Sequence, residues 1–394
     1  MFSNSLFGTL VKPLDRTAIG RIVEGHGADR WRKRFKTWDH LLAMLAAQFA
    51  GADSLRELEA LFAGREAHRY HLHCGPVKRS TLADANKSRD QRVFRDIAQL
   101  LMQGAGRKRR EMMTLLTVLD ASPIRLTGRG HGWALETQTR SYSAGLKLHV
   151  QFTPQEEALD YVDITGSNVN DITAAHRIPL EKNRLYVFDK GYCDYDWWHR
   201  IASAGSHFVT RLKRNAAYNL LEDRAVAATE GSLVLRDQLI ELSNRSPRAG
   251  KINQLAGVPL RLVEIRHPAG KGRPFWIVSN ALTASAEQIA DWYKSRWSIE
   301  LLFKWLKQNL KIKRFIGESR NAVMIQIYVA MIAYILLQAY KTLVAASHRS
   351  LRLKDVAFTI RTGLFSRPQT NEKLRRRRQK TYALQHNLWE QHTL

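Results

Sequence analysis

An α/β fold is predicted by three features of this 394-residue chain. Residues 1–105 carry helical periodicity with short breaks. Two later apolar runs, "TLLTVLD" and "RLYVFD", each end in an acid, as fully buried central strands do. Strand and helix patterns then alternate, which is the order of an α/β core.

The elements follow in order. "TWDHLLAMLAAQFAG" and "SLRELEALFAG" each close on a glycine, and "RSTLADANKSRDQRVFRDIAQLLMQ" offers Ser80 or Thr81 as the N-cap of a further helix. "GAGRKRRE" (104–111) is a basic hinge and the first domain boundary. Strands are expected at 114–120, 145–152, 158–166 and 184–189, with "NDITAAHRI" opening a capped helix after the third. A helix near 194–204 and the strand "HFVTRLK" come next. Residues 214–280 interrupt this core with three strand-like pieces, "GSLVLRDQLIEL", "VPLRLVEIRH" and "RPFWIVSN". Helices return over 281–365, and 366–394 form a basic tail.

The bulk numbers narrow the partners. Lys+Arg number 62 against 36 Asp+Glu, a formal net charge of +26. That surplus points to nucleic acid rather than a membrane surface. Cys74 and Cys193 imply no disulfide framework, which suits a reducing cytoplasm. "MFSNSLFGTLVKPLDR" lacks the basic and apolar regions of a signal peptide. In "VMIQIYVAMIAYILLQAYKTLVAA" the uninterrupted apolar run lies between Gln326 and Gln338, short of the ~20 residues of a membrane span, so a buried core helix is expected.

One stretch concentrates polar chemistry. "YKSRWSIELLFKWLK" places Tyr293, Arg296, Glu300 and Lys307 at offsets of 3, 7 and 14. On one continuous helix these fall within roughly a 60° arc. Trp292, Ile299, Phe303, Leu306 and Leu310 form the apolar stripe beside it, and Ser285 with Gln288 reads as a capping box. The plain alternative is a solvated face with an Arg296–Glu300 pair worth a few tenths of a kcal/mol. Asp120 and Asp189, at the ends of buried runs, sharpen the case. Carboxylates at neighbouring strand ends, joined by Glu300 from a packed helix, can hold two hard cations for phosphoryl transfer. Tyr293, Arg296 and Lys307 would then grip the phosphates of a nucleic acid.

Asp120 in "TVLDAS", Asp189 in "VFDKGY" and the Tyr293, Arg296, Glu300, Lys307 series resemble the DDE transposases of the fourth bacterial insertion-sequence family. That family's signature is Tyr, two residues, Arg, three residues, Glu, six residues, Lys. The resemblance covers nearly the whole chain. It implies an RNase H-like catalytic core in two parts (106–213 and 281–365), a β-rich insertion (214–280) and an all-helical DNA-binding domain (1–105). It implies two Mg2+ ions, with Mn2+ able to substitute, on Asp120, Asp189 and Glu300. The activity implied is cut-and-paste movement of the element's own ends. The partners implied are double-stranded DNA, both terminal inverted repeats and target, with a homodimer assembled on DNA in a bacterial cytoplasm at the nucleoid.

Further DNA contacts are expected at Arg211 in "FVTRLK" and at Trp276 in "PFWIVSN", where relatives that form hairpins capture a flipped base. Arg79, Lys87 and Arg89, around the "STLADAN" helix, are candidate contacts to the repeats. "HRYHLHC" lacks a second ligand pair at zinc-finger spacing, and neither "HPAGKGR" nor "GAGRKRR" fits a phosphate-binding P-loop. The run Arg375–Arg378 reads as a solvated tail with unspecific phosphate affinity. The rival readings are a nuclease on the same fold that cuts without strand transfer, and a DNA-binding repressor. A tyrosine recombinase using Tyr293 lacks the Arg and His set that chemistry needs.

Overall fold

The computed structural model describes residues 5–107, 115–126, 129–140, 143–226, 231–243, 253–267, 270, 272–345 and 351–366. The Arg375–Arg378 run and the second half of the basic hinge (108–111) lie outside the described residues.

Seven helices open the chain: α1 (Leu6–Val11), α2 (Arg16–Gly25), α3 (Thr37–Ala50), α4 (Leu55–Phe62), α5 (Glu66–His71), α6 (Arg79–Ser88) and α7 (Gln91–Arg107). Their ends follow local chemistry. Asp15 and Ser54 accept from backbone N–H groups at the starts of α2 and α4, and Gly51 closes α3 with φ +76°. The single helix expected after Ser80 is two, and its cap is Lys78, with Ser80 inside the first turn. The break falls at Arg89, which is extended. Asn321 fills it, donating to the carbonyls of Asn86 (2.8 Å) and Arg89 (2.7 Å) and accepting from Gln91 N (3.2 Å). A partner 232 residues away is invisible to local pattern.

The strands are β1 (Leu115–Arg125), β2 (Gly145–Thr153), β3 (Ala158–Gly166), β4 (Arg184–Phe188), β5 (His207–Arg211), β6 (Tyr218–Arg224), β7 (Val234–Leu242), β8 (Pro259–Ile265) and β9 (Phe275–Ser279). They form one nine-stranded sheet in the order β3-β2-β1-β4-β5-β9-β8-β7-β6. β1, β4 and β5 run parallel to their neighbours in this trio, and the remaining pairings are antiparallel. The strand-rich interruption therefore extends the sheet through the β5–β9 pairing. β6, which the sequence pattern missed, is a largely exposed edge strand without apolar alternation. α8 (Asp171–Ala175) and α9 (Tyr195–Ser203) join the core strands, and α10 (Ala286–Lys294), α11 (Trp297–Asn309), α12 (Arg320–Ala345) and α13 (Leu353–Gly363) complete the chain.

Both sheet faces are covered, which is why "RLYVF" is buried throughout. Successive residues of β4 face opposite cores: Leu185 and Val187 join one, Tyr186 and Phe188 the other, with Trp197, Trp198 and Phe208. The first core also contains the N-terminal helices, because α1, α3, α6 and α7 pack on α12 and α7 packs on β3. α12 is long and apolar enough to cross a membrane by length and composition, so its length does not separate the two possibilities. Its surroundings do: 83% of its most apolar window is buried inside the protein. Gln326 interrupts its apolar run for a reason. Its amide donates to the carbonyls of Lys311 (2.7 Å) and Arg314 (2.8 Å) and accepts from Ile316 N (2.9 Å), satisfying a loop that has no ladder of its own.

Candidate active site

The register of the sheet brings the two aspartates together. Leu119 of β1 is the parallel partner of Phe188 of β4, so the next residues, Asp120 and Asp189, leave the paired region side by side. β1 does not end at Asp120, as the apolar run suggested. It continues to Arg125 against β2, with Asp120 opposite Val150. The acid therefore sits where β1 loses one neighbour and keeps the other. Asp120 Oδ1 accepts from Ala121 N at 2.8 Å. Asp189 follows β4 in extended conformation and starts the tight turn Lys190–Tyr192.

The helix that faces them is not continuous. α10 starts with the expected capping box, Ser285 Oγ accepting from Gln288 N and Gln288 Oε1 from Ser285 N. It ends at Lys294, and α11 begins at Trp297. Between them Arg296 N donates to Tyr293 O three residues back, at 3.1 Å. Ser295 and Ser298 hydroxyls bond back to the carbonyls of Asp291 and Ser295, which competes with the helical ladder. Tyr293 thus belongs to α10, Arg296 to the junction, and Glu300 and Lys307 to α11. The regular 100° step does not run through the four. They still converge, because the junction keeps helical dihedrals and α11 packs on β1.

Arg296 occupies the centre. Its guanidinium lies 2.6 Å from Glu300 Oε1 and 3.5 Å from Asp120 Oδ2, with its own side chain 18% exposed. The i,i+4 pair of the plain reading exists, and it reaches the strand acid as well. Among the described residues no three His, Cys, Asp or Glu side chains converge closely enough to hold a metal ion as they lie. The donors nonetheless fit a hard cation: all are carboxylates, and two come from adjacent parallel strands, Asp120 within β1 and Asp189 just past β4. A cation beside Asp120 would favour its ionised form. Burial pushes its carboxyl up to about 6, with Asp189 and Asp171 adding to the rise against the Ala121 N–H and Arg296.

The other expected contacts divide. Tyr293 is buried, and burial followed by Asp189 pushes its phenol up to about 12, while Arg296 and Arg211 oppose the rise. Lys307 Nζ donates to Ser122 Oγ on β1 at 2.6 Å, and burial with Lys313 and Arg125 nearby lowers its pKa. A cleft of about 420 Å³ opens there, lined by Asp120, Ser122, Glu300, Lys304, Lys307 and Lys313. Arg211 lies over the Phe275 ring at 4.0 Å. Trp276 is half-buried, with Arg214 over its ring at 4.5 Å and Nε1 3.3 Å from Glu264 Oε1. Arg79 and Lys87 are exposed on α6.

Arg89 departs from its expected role. It is 1% exposed, donates to the Phe35 carbonyl at 2.9 Å and lies 3.7 Å from Asp29. It ties the N-terminal helices together from inside and offers no surface to a phosphate. Its position after "NKS" looks solvated because the buried partners are more than 50 residues away. Conversely, Ser122, Lys304, Lys313 and Asp171 lie beside the site without a local sequence signal that marks them. Ser122 stands only two residues after Asp120, and Asp171 reads locally as a helix start.

The comparisons with known proteins bear on the same segment. Residues 112–336 match the transposase DDE domain, and residues 3–73 match a domain of unknown function, DUF4372. The chain is 37% identical over 278 residues to the protein named transposase y4zB of Sinorhizobium fredii, covering 70% of this chain and 75% of that protein. It is 28% identical to a transposase named for insertion sequence element IS5377 of Geobacillus stearothermophilus, covering 66% of each. It is 25% identical to one named for IS4SA of Synechocystis sp., covering 68% of this chain and 74% of that protein. DDE transposase domains generally use divalent metal ions. The matched domain spans both strand acids and Glu300, and the chain belongs to the DDE transposases of bacterial insertion sequences.

Proposed function

We propose that this transposase binds the terminal inverted repeats of its own insertion sequence, cleaves the DNA ends and joins them to a target. Asp120, Asp189 and Glu300 are the catalytic and metal-holding residues in this reading. The observation that carries it is the Leu119–Phe188 register, which sets two carboxylates side by side opposite the helix bearing Glu300. Two Mg2+ ions, or Mn2+ in their place, would supply Lewis-acid stabilisation of the attacking and leaving oxygens. We further read β1–β5 as an RNase H-like core, with 214–280 as its insertion and 1–105 as the repeat-binding region.

The chain's own groups have distinct tasks. Lys307, oriented by Ser122, presents an ammonium to a phosphate in the cleft, where Lys304 and Lys313 add charge. Arg296 serves the same strand once its guanidinium turns from the two acids, and Tyr293 supports it from the buried side. Arg211 and Trp276 lie on β5 and β9 as candidate contacts to the DNA end, and Arg79 and Lys87 as contacts to the repeats. A homodimer on DNA, in the bacterial cytoplasm at the nucleoid, completes the proposal.

The test is an assay of purified protein with duplexes carrying the element's ends, a labelled target and Mg2+. Joined product is expected. Cleavage without any joined product would favour the nuclease reading.

A further inference from the structure

Behind the two strand acids lies a fourth carboxylate with a buried cation. Lys147 of β2, opposite Pro123 of β1, has a side chain only 8% exposed. Its ammonium donates to the Val169 carbonyl at 2.8 Å and to Asp171 Oδ1 at 3.0 Å. Asp171 is the first residue of α8, and its side chain is 31% exposed. Its other oxygen faces the turn that follows Asp189: a Cβ on Gly191 would stand 3.6 Å from Asp171 Oδ2. That is contact distance, and α8 packs on the turn.

We propose that Lys147 and Asp171 form a positioning and charge-setting pair for the carboxylate centre. Asp171 supports the Asp189 turn and adds negative potential behind Asp120 and Asp189, and Lys147 fixes how much of that potential is felt. The inference rests on the reading of Asp120, Asp189 and Glu300 as the cation site. The electrostatics of the neighbouring groups have the same sign. Asp171 contributes to the raised carboxyl of Asp120, and with Asp120 and Asp189 it contributes to the raised phenol of buried Tyr192.

A salt bridge that only braces the fold and one that sets charge predict different signs. Loss of either partner of a brace loosens the site, so both variants weaken ion binding. For a charge-setting pair, Asp171→Asn removes a negative charge and weakens divalent binding, whereas Lys147→Met removes a positive charge and strengthens it. The shift is on the order of tenfold each way for a unit charge acting on a divalent ion through partly screened protein.

The experiment is Mn2+ titration of the full chain without DNA, read by electron paramagnetic resonance of free Mn2+, with thermal unfolding as the fold check. Opposite shifts for Asp171→Asn and Lys147→Met are expected. Shifts of the same sign, or no shift, overturn the inference. If Lys147→Met does not fold, Lys147→Gln replaces it with the same expected gain in affinity, and a loss or no change in that variant, or unchanged affinity in Asp171→Asn, overturns the inference. Asp189→Asn separates the two levels. If it leaves Mn2+ binding unchanged, the cation-site reading itself fails. If it removes binding while the Lys147 and Asp171 variants do nothing, only the present inference fails.

Discussion

Arg296 and Glu300, four residues apart, meet at 2.6 Å, and the same guanidinium reaches Asp120 at 3.5 Å. A solvated helical pair would stop at Glu300 and contribute about 0.3–0.5 kcal/mol. Here the cation links the helix acid to the strand acid, a contact across two elements that a solvated pair does not make.

Arg296→Lys should therefore slow single-turnover cleavage and joining on a pre-cut end by roughly tenfold or more. A point charge cannot reproduce the bidentate fork of a guanidinium on a phosphate. Rates within about threefold of the parent, with an unchanged circular dichroism spectrum, would return Arg296 to the plain i,i+4 reading.

Lys307→Ala should cost more in rate than in stability. Losing a charge-assisted contact made in the transition state costs about 2–4 kcal/mol, or roughly 30- to 1000-fold. Ser122→Ala should be milder, because it removes the group that orients the ammonium and leaves the charge. The check is the same single-turnover assay. Equal, near-parent rates for both variants would detach Lys307 from the chemistry.

Asp120 gives a pH signature. Burial pushes its folded carboxyl from the ordinary 3.8 up to about 6, so ionising it in the metal-free fold is unfavourable. The sign follows from linkage: the destabilisation is full above about pH 6 and vanishes as pH falls toward 4. Asp120→Asn should then stabilise the metal-free protein by on the order of 2–3 kcal/mol at pH 8, with the gain fading below pH 6. Urea unfolding at pH 8 and pH 4.5 measures it. An equal effect at both pH values contradicts the burial account.

In the N-terminal region, Arg79→Ala and Lys87→Ala should each weaken binding to the element's ends and reduce the salt slope by roughly one. Arg89→Ala should act through the fold, costing roughly 3–5 kcal/mol because buried polar partners lose their cation. Binding curves at several salt concentrations, beside chemical denaturation, separate the two behaviours. Loss of binding by Arg89→Ala at unchanged stability would reverse the assignment.

What could be read in advance follows from the range of the forces. The buried apolar runs leading to Asp120 and Asp189, the capping box at Ser285 and the glycine stop at Gly51 depend on neighbours within a few residues, whereas the continuation of β1 to Arg125 depends on β2. The break at Arg89 depends on Asn321, and the edge strand β6 on its pairing with β7, so neither leaves a local periodicity. The junction at Ser295–Arg296 was legible only in part: its hydroxyls are ordinary helix residues until they bond to the carbonyls behind them. The link from Lys147 to Asp171 crosses 24 residues and shows itself only once β2 and α8 are placed.

The central claim is that three carboxylates act as one centre. It is tested most directly by single-turnover cleavage of a duplex carrying the element's end, in Mg2+, by Asp120→Asn, Asp189→Asn and Glu300→Gln. Each substitution removes a charge and a ligand oxygen while conserving shape. The account predicts no detectable cleavage by any of the three, with end binding in a gel-shift assay close to that of the parent. Cleavage at more than a small fraction of the parent rate by any one variant would contradict it and remove that residue from the centre.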